Sequence, residues 1–266
     1  MHSTEYFFTK QPSEIQAVFV SDLHLSAHTP HLSRAFIQLI DDLCVLPNLG
    51  SLYILGDWLD AWIGDDVYLS LDKQNQANHW LTPIIKALKK LADKQVQILI
   101  MHGNRDFALS NKLTKLFGGA IIAEPYYLTT STHHIRLEHG DALCTDDVKY
   151  QQYRAIIRHP VVRWLLLATP LSFRSKLGKD IKDKSHNDKR QKSATIMDVN
   201  HDAVQKALTD CDILLHGHTH RPAVHLLDNK TRLVLGDWRY DDRQVTAEIG
   251  LLIGHEIVLT SYQTAN

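Results

Sequence analysis

Asp22-Leu23-His24, Gly56-Asp57, Gly103-Asn104-Arg105-Asp106, His139-Gly140-Asp141 and His216-Gly217-His218-Thr219-His220 are five short motifs spread along the chain. Each carries side chains that bind hard or borderline metal ions: carboxylate, carboxamide or imidazole, and no thiolate. That donor set suits two divalent ions of the manganese, iron or zinc kind. Two such ions ~3.5–4 Å apart can clamp both oxygens of an in-line phosphoryl displacement. The chemistry indicated is therefore hydrolysis of a phosphoester or phosphoanhydride. Taken singly the motifs are weak, because Asp-x-His means little and Gly-Asp and Gly-Asn are common in turns. Their order and placement carry the weight.

Four of the motifs follow a short apolar run: AVFVSDLH, LYILGD, ILIMHGN and ILLHGHTH. Such runs predict buried parallel strands, here over 17–20, 52–55, 96–101 and 212–215, and open α/β sheets place their sites at strand carboxyl ends. Amphipathic spacing predicts helices over 32–46 and 78–94, with Pro83 in a first turn. Ser110 is placed to cap a short helix through Phe117 that Gly118 ends, and Asn200 to cap one over 201–209. From Tyr126 the pattern becomes β-type, with a hairpin of 126–130 and 133–138 across Ser131-Thr132 delivering His139. Runs at 222–227, 231–235, 245–252 and 255–261 predict antiparallel strands. The fold class is α/β, a sandwich in which strand–helix alternation closes into β-rich pairs.

In order and content the motifs resemble the calcineurin-like metallophosphoesterase superfamily over residues 16–240. The resemblance implies a β-sandwich flanked by helices with a two-metal centre at one edge. One ion is then expected on Asp22, His24, Asp57 and His218, and the other on Asp57, Asn104, His139 and His216, with Asp57 bridging. The third motif departs from the superfamily's Gly-Asn-His by placing Arg105 after Asn104. Arginine cannot donate a proton near neutral pH, but its planar fork grips phosphate oxygens. That favours a phosphoanhydride, whose leaving group needs little acid assistance. GDWLDAWIGDD, HGNRDF, HGDALCTDDVKYQQYR, IMDVN and HGHTHRPAVH further resemble the UDP-2,3-diacylglucosamine pyrophosphohydrolase family. This implies two Mn2+ ions and metal-activated water attacking the α-phosphorus of an acylated nucleotide sugar. The implied products are UMP and 2,3-diacylglucosamine 1-phosphate (lipid X), within lipid A biosynthesis. Substrate contacts are expected from Asn104, Arg105, Asp147, Ser185, Lys189, Lys192 and His216, with Asp57 and Arg105 as the catalytic pair. Lys189 stands where the family usually has a small polar residue. Asp106 and Asp141 are candidates either to orient ligand imidazoles or to cap turns.

Residues 147–198 interrupt the alternation. They hold twelve Lys/Arg against five Asp, and enclose the mostly apolar run 161–173. Two readings stand: a helical cap packed on the core, or an acyl-chain pocket with a basic, membrane-facing rim. The division expected is a core of 1–146 and 199–266, with 147–198 as a helical insertion cap over the active site.

The remaining features narrow the class. A chain of 266 residues can bury one large core plus a small cap, and a formal net charge of −1 argues against coating nucleic acid. The basic cap also lacks interleaved aromatic residues. Three cysteines without paired spacing fit a reduced setting. No export signal and no run long enough to span a bilayer is read, so the expected location is cytoplasmic and peripheral on the cytoplasmic face of the inner membrane. No nucleic acid and no obligate protein partner is expected. The rivals are another metallophosphoesterase acting on a nucleotide or phosphodiester, and a non-catalytic scaffold of the same fold.

Overall fold

Strand β1 (Ile15–Val20) is almost wholly buried, as a strand covered on both faces must be. Its alternate residues enter different cores: Val18 and Val20 face one apolar cluster, Ala17 and Phe19 another. In the computed structural model, which describes residues 3–178 and 198–265, this alternation sets up two stacked sheets between helical layers. β1 pairs in parallel with β2 (Ser51–Leu55), β2 with β3 (Gln97–Met101), and β3 with the short β4 (Ala120–Ile121). The second sheet runs in the order β5 (Tyr126–Thr129), β6 (His134–Leu137), β7 (Ile213–His216), β9 (Lys230–Val234), β8 (Ala223–Leu227). Its β6, β7 and β9 are parallel, and hairpins close both ends. β10 (Arg239–Asp241), β11 (Gln244–Ile253) and β12 (Glu256–Ala265) return to the first sheet, with β11 antiparallel to β1, β10 and β12.

The helices are α1 (Thr4–Lys10), α2 (Pro30–Leu43), α3 (Asp66–Leu69), α4 (Lys73–Asn78), α5 (Thr82–Ala92), α6 (Asn111–Thr114), α7 (Val148–Ile157), α8 (Pro160–Ala168), α9 (described over 171–178) and α10 (His201–Ala207). Leu39 and Ile40 of α2 and Ile84 and Leu88 of α5 pack on Val18, Ile54 and Ile98. Phe19, Tyr53 and Leu55 meet Leu137, Leu215 and Leu233 between the sheets, and Leu214 faces Val204 and Leu208 beside α10. The layers are helix, sheet, sheet, helix.

Most expected elements are present within a few residues. The helix read as 78–94 is shorter, running only over Thr82–Ala92, because the chain is extended at His79, where a separate preceding helix, α4, capped by Asp72 through the Asn75 amide, ends. Ser110 and Asn200 cap their helices as read, accepting from Lys112 and Ala203. Helix α1 was not anticipated. It is too short for periodicity to betray, and is held by burial of Phe7 and by Thr4 Oγ1 donating to the Ser261 carbonyl at 2.8 Å.

The described part of 147–198 is α7, α8 and α9. Arg154 of α7 and Arg158 just beyond its end each reach Glu124 at 2.7 Å and Asp141 at 2.9–3.0 Å, and Tyr150 donates to Asp141 at 2.6 Å. Arg174 pairs with Asp66 and donates to the Ile63 carbonyl. Ile156, Val161, Trp164, Leu165 and Phe173 are exposed on these helices, Trp164 to 68%.

Candidate metal centre

The loops beyond β1, β2, β3, β6 and β7 are bonded to one another along one edge of the sandwich. The amides of Asp22 and His24 donate to the carbonyls of Gly56 and Asp57 at 3.1 and 2.9 Å. The Arg105 amide donates to Asp57 Oδ1 at 2.7 Å, the His218 amide to Asp22 Oδ2 at 2.8 Å, and the Gly217 amide to the His139 carbonyl at 2.9 Å. Asp22, His24, Asp57, His218 and His220 have φ of 54°, 49°, 51°, 67° and 56°. Non-glycine residues seldom occupy this left-handed region, and such strain gathers where function over-determines the backbone. Two glycines make room: a Cβ on Gly103 would collide with the Asp57 carboxylate, and one on Gly217 with Ser21 and Asp22.

Two donor groups form here, Asp22–His24–His220 and Asp22–Asp57–His139. His220 Nε2 lies 3.3 Å from Asp22 Oδ1 and 3.5 Å from His24 Nε2. Asp22 is common to both groups, and Asp57 of the second also reaches into the first, with Oδ2 3.8 Å from His24 Nδ1 and Oδ1 3.8 Å from His139 Nε2. Asn104 Oδ1 stands 3.2 Å from His139 Nε2, and the His218 ring meets the His139 ring edge-on at 5.0 Å. His139 Nδ1 faces the Leu55 carbonyl at 2.9 Å, which can only accept, so the proton sits on Nδ1 and Nε2 turns to Asn104 and Asp57.

The electrostatics fit a cation. Burial alone would lower His139, yet Asp57, Asp22, Asp141 and Glu124 outweigh it and raise its pKa to about 9. Burial would raise Asp22, yet His220, His139 and His24 hold it well below the usual carboxylate range. A field that favours a proton among these donors also favours a divalent ion. Oxygen and imidazole donors sharing one carboxylate across two groups match a pair of borderline or hard ions.

Of the expected ligands, Asp22, His24, Asp57, Asn104, His139 and His218 are gathered at this edge. His216, like Asn104 and His218, is in neither donor group, and it differs from them in its place within a strand. It is the last residue of β7, paired with Val234, and its Nδ1 turns to the Gly217 carbonyl at 2.9 Å. Burial, opposed by that bond, brings its pKa down to about 4, with Arg232 and His139 contributing. The strand simply continues one residue further than the motif suggested, so the loop histidines begin at His218. His220 was missed as a donor, as was Asp237, whose Oδ2 is 3.2 Å from His220 Nδ1. LVLGD before Trp238 repeats the pattern of LYILGD, a signal that could have found it.

Asp106 and Asp141 are each engaged by other groups. Asp106 accepts the amides of Gly103, Trp58 and Leu59, and burial beside Asp57 raises its pKa to about 7. Asp141 holds Tyr150, Arg154 and Arg158. Arg105 has its guanidinium 3.9 Å from Asp60, close to the Asp57 edge. Asp147 caps α7 through the Tyr150 amide at 3.2 Å. Ser185, Lys189 and Lys192 lie outside the described residues.

Comparison with known proteins agrees with this geometry. Residues 15–222 match the family model for calcineurin-like phosphoesterases. A UDP-2,3-diacylglucosamine hydrolase of Pseudomonas putida is 37% identical over 227 residues, covering 83% of this chain and 90% of that protein. One of Haemophilus influenzae is 39% identical over 223 residues, with the same coverage of each. With its donors at one sandwich edge and this match along most of its length, the chain belongs to the calcineurin-like phosphoesterase family.

Proposed function

We propose that the chain hydrolyses the pyrophosphate bond of UDP-2,3-diacylglucosamine, giving UMP and 2,3-diacylglucosamine 1-phosphate. The observation that carries this is the donor cluster at one edge of a chain 37–39% identical to hydrolases of that name. The geometry supports one ion on Asp22, His24, Asp57 and His220, and a second on Asp57, Asn104, His139 and His218. This ligand set lies two residues beyond the expected one in the last motif. We take Mn2+ as the pair. Bound there, the ions supply positive charge that polarises the phosphoryl oxygens and eases deprotonation of water.

The chain's own groups do the rest. Asp57 fixes the spacing between the two halves of the site and, through the Arg105 amide, the start of the phosphate-gripping side chain. Arg105 binds the non-bridging oxygens and gains strength as charge gathers on them. The leaving group is itself a phosphate, so no side-chain acid is required. Substrate contacts come from Asn104 on the core and Asp147 at the start of the cap, and His218 takes the role first given to His216.

The described part of 147–198, α7 to α9, acts as the cap over the site, set on the core of 1–146 and 199–266. The exposed Trp164, Leu165 and Phe173 support a face that receives acyl chains at the inner-membrane surface. No helix among the described residues is long and apolar enough to cross a membrane. The test is release of UMP from UDP-2,3-diacylglucosamine by the purified chain with Mn2+. Turnover of a simple phosphodiester but not of this substrate would favour the broader metallophosphoesterase reading.

A further inference from the structure

His220 differs from the other imidazoles of the centre in how its ring is held. His139 is wholly buried and is steered by the neutral Leu55 carbonyl. His220 leaves 30% of its side chain exposed, in a loop with left-handed backbone, so packing alone does not fix its ring. Its Nδ1 faces a carboxylate, Asp237 Oδ2, at 3.2 Å, which directs Nε2 at Asp22 and His24. Asp237 is in turn gripped by Arg239, whose Nε reaches Oδ1 at 2.8 Å while Nη2 donates to the His220 carbonyl at 3.1 Å. Arg239 thus ties both ends of the same histidine, and the Trp238 amide anchors the turn on the Asp22 carbonyl at 3.3 Å.

Resting on the ligand set proposed above, we infer that Asp237 is the positioning residue for the ion held by Asp22, His24 and His220, and for that ion alone. A carboxylate behind an imidazole fixes its tautomer and makes its free nitrogen a better donor. On the side of Asn104, His139 and His218, His139 is steered instead by the neutral Leu55 carbonyl. The turn between β9 and β10 thus acts on the ion position that includes His220.

The experiment is titration of metal-free chain with Mn2+, following free ion by electron paramagnetic resonance. Wild type should take up two ions per chain. Asp237→Ala should bind one ion as wild type does and the other about 10–100-fold more weakly. Asp237→Asn, whose amide oxygen still accepts from Nδ1, should recover part of that loss, which a purely structural role would not require. Arg239→Ala should weaken the same ion less than Asp237→Ala does. Two ions of wild-type affinity in Asp237→Ala would overturn the assignment, as would equal weakening of both. Fewer than two ions on wild type would instead sink the two-metal reading beneath it.

Discussion

At the scale of single residues, the site turns on which histidines of His216-Gly217-His218-Thr219-His220 face the centre. His220→Ala should lower bound metal to about one ion per chain by elemental analysis. His216→Ala should retain both ions and lose stability instead, by about 1–3 kcal/mol, because a buried side chain that closes β7 is removed. Reversal of these outcomes would restore the ligand set expected from sequence alone. Six of the seven expected ligands lay in motifs whose order and apolar lead-in were legible. What the motifs could not show is where a strand stops. ILLH reads as strand then ligand, but hydrogen bonding carries the strand through His216 and the left-handed turns come after it. The backbone angles that aim Asp22, His24, Asp57, His218 and His220 leave no trace in residue type, since none of them is glycine.

At the scale of elements, α7 is attached by charge rather than by an apolar face. Among its residues none is fully buried, and Arg154 and Arg158 meet the fully buried Asp141 and the half-buried Glu124. Removing one partner of a buried pair costs about 3–5 kcal/mol. Arg158→Ala should accordingly raise amide hydrogen exchange across 148–157 while leaving β1 to β3 protected. Uniform exchange changes would mean that α7 is integral to the core. The apolar run 161–173 was legible as a helix, but the sequence did not show that Pro170 separates α8 from α9 or that Trp164 points outward. Trp164→Asp is expected to raise KM for the acylated substrate about tenfold, since ~1.4 kcal/mol of lost apolar burial corresponds to that factor. UDP-glucosamine, without acyl chains, should be unaffected, and equal effects on both would leave the helix without a lipid role. At such exposure the substitution should leave the fold intact, which circular dichroism checks.

At the scale of the whole molecule, both the fold and its pH limits follow from burial. Burial pushes the Cys144 thiol up to about 12 and the Cys211 thiol up to about 11, each helped by neighbouring aspartates. Their Sγ atoms approach the Gly140 and Ala207 carbonyls as donors, which suits the protonated form. A pKa raised on folding gives stability that is intact below the unfolded value, about 8.5, and lost as pH climbs towards the folded value. Urea midpoints should therefore fall between pH 9 and 11, with a slope of up to ~1.4 kcal/mol per pH unit for each thiol. The fall should be shallower in a Cys144→Ala, Cys211→Ala double variant; an unchanged slope would assign alkaline unfolding to other groups. The overall architecture was readable because parallel strands buried on both faces are nearly continuous apolar runs. The return of β10 to β12 to the first sheet was not, because alternation reveals a strand but not its partner.

The donors come from both sheets: Asp22, His24, Asp57 and Asn104 follow strands of the first, while His139, His218 and His220 follow strands of the second. Loading the centre thus rivets the sandwich shut at one rim. An ion present at a thousand times its dissociation constant adds about 4 kcal/mol to the folded state. Stripping with a chelator should accordingly lower the melting temperature by on the order of 10 °C, restored on adding Mn2+ back, with the rim rather than the far end of the sheets opening first.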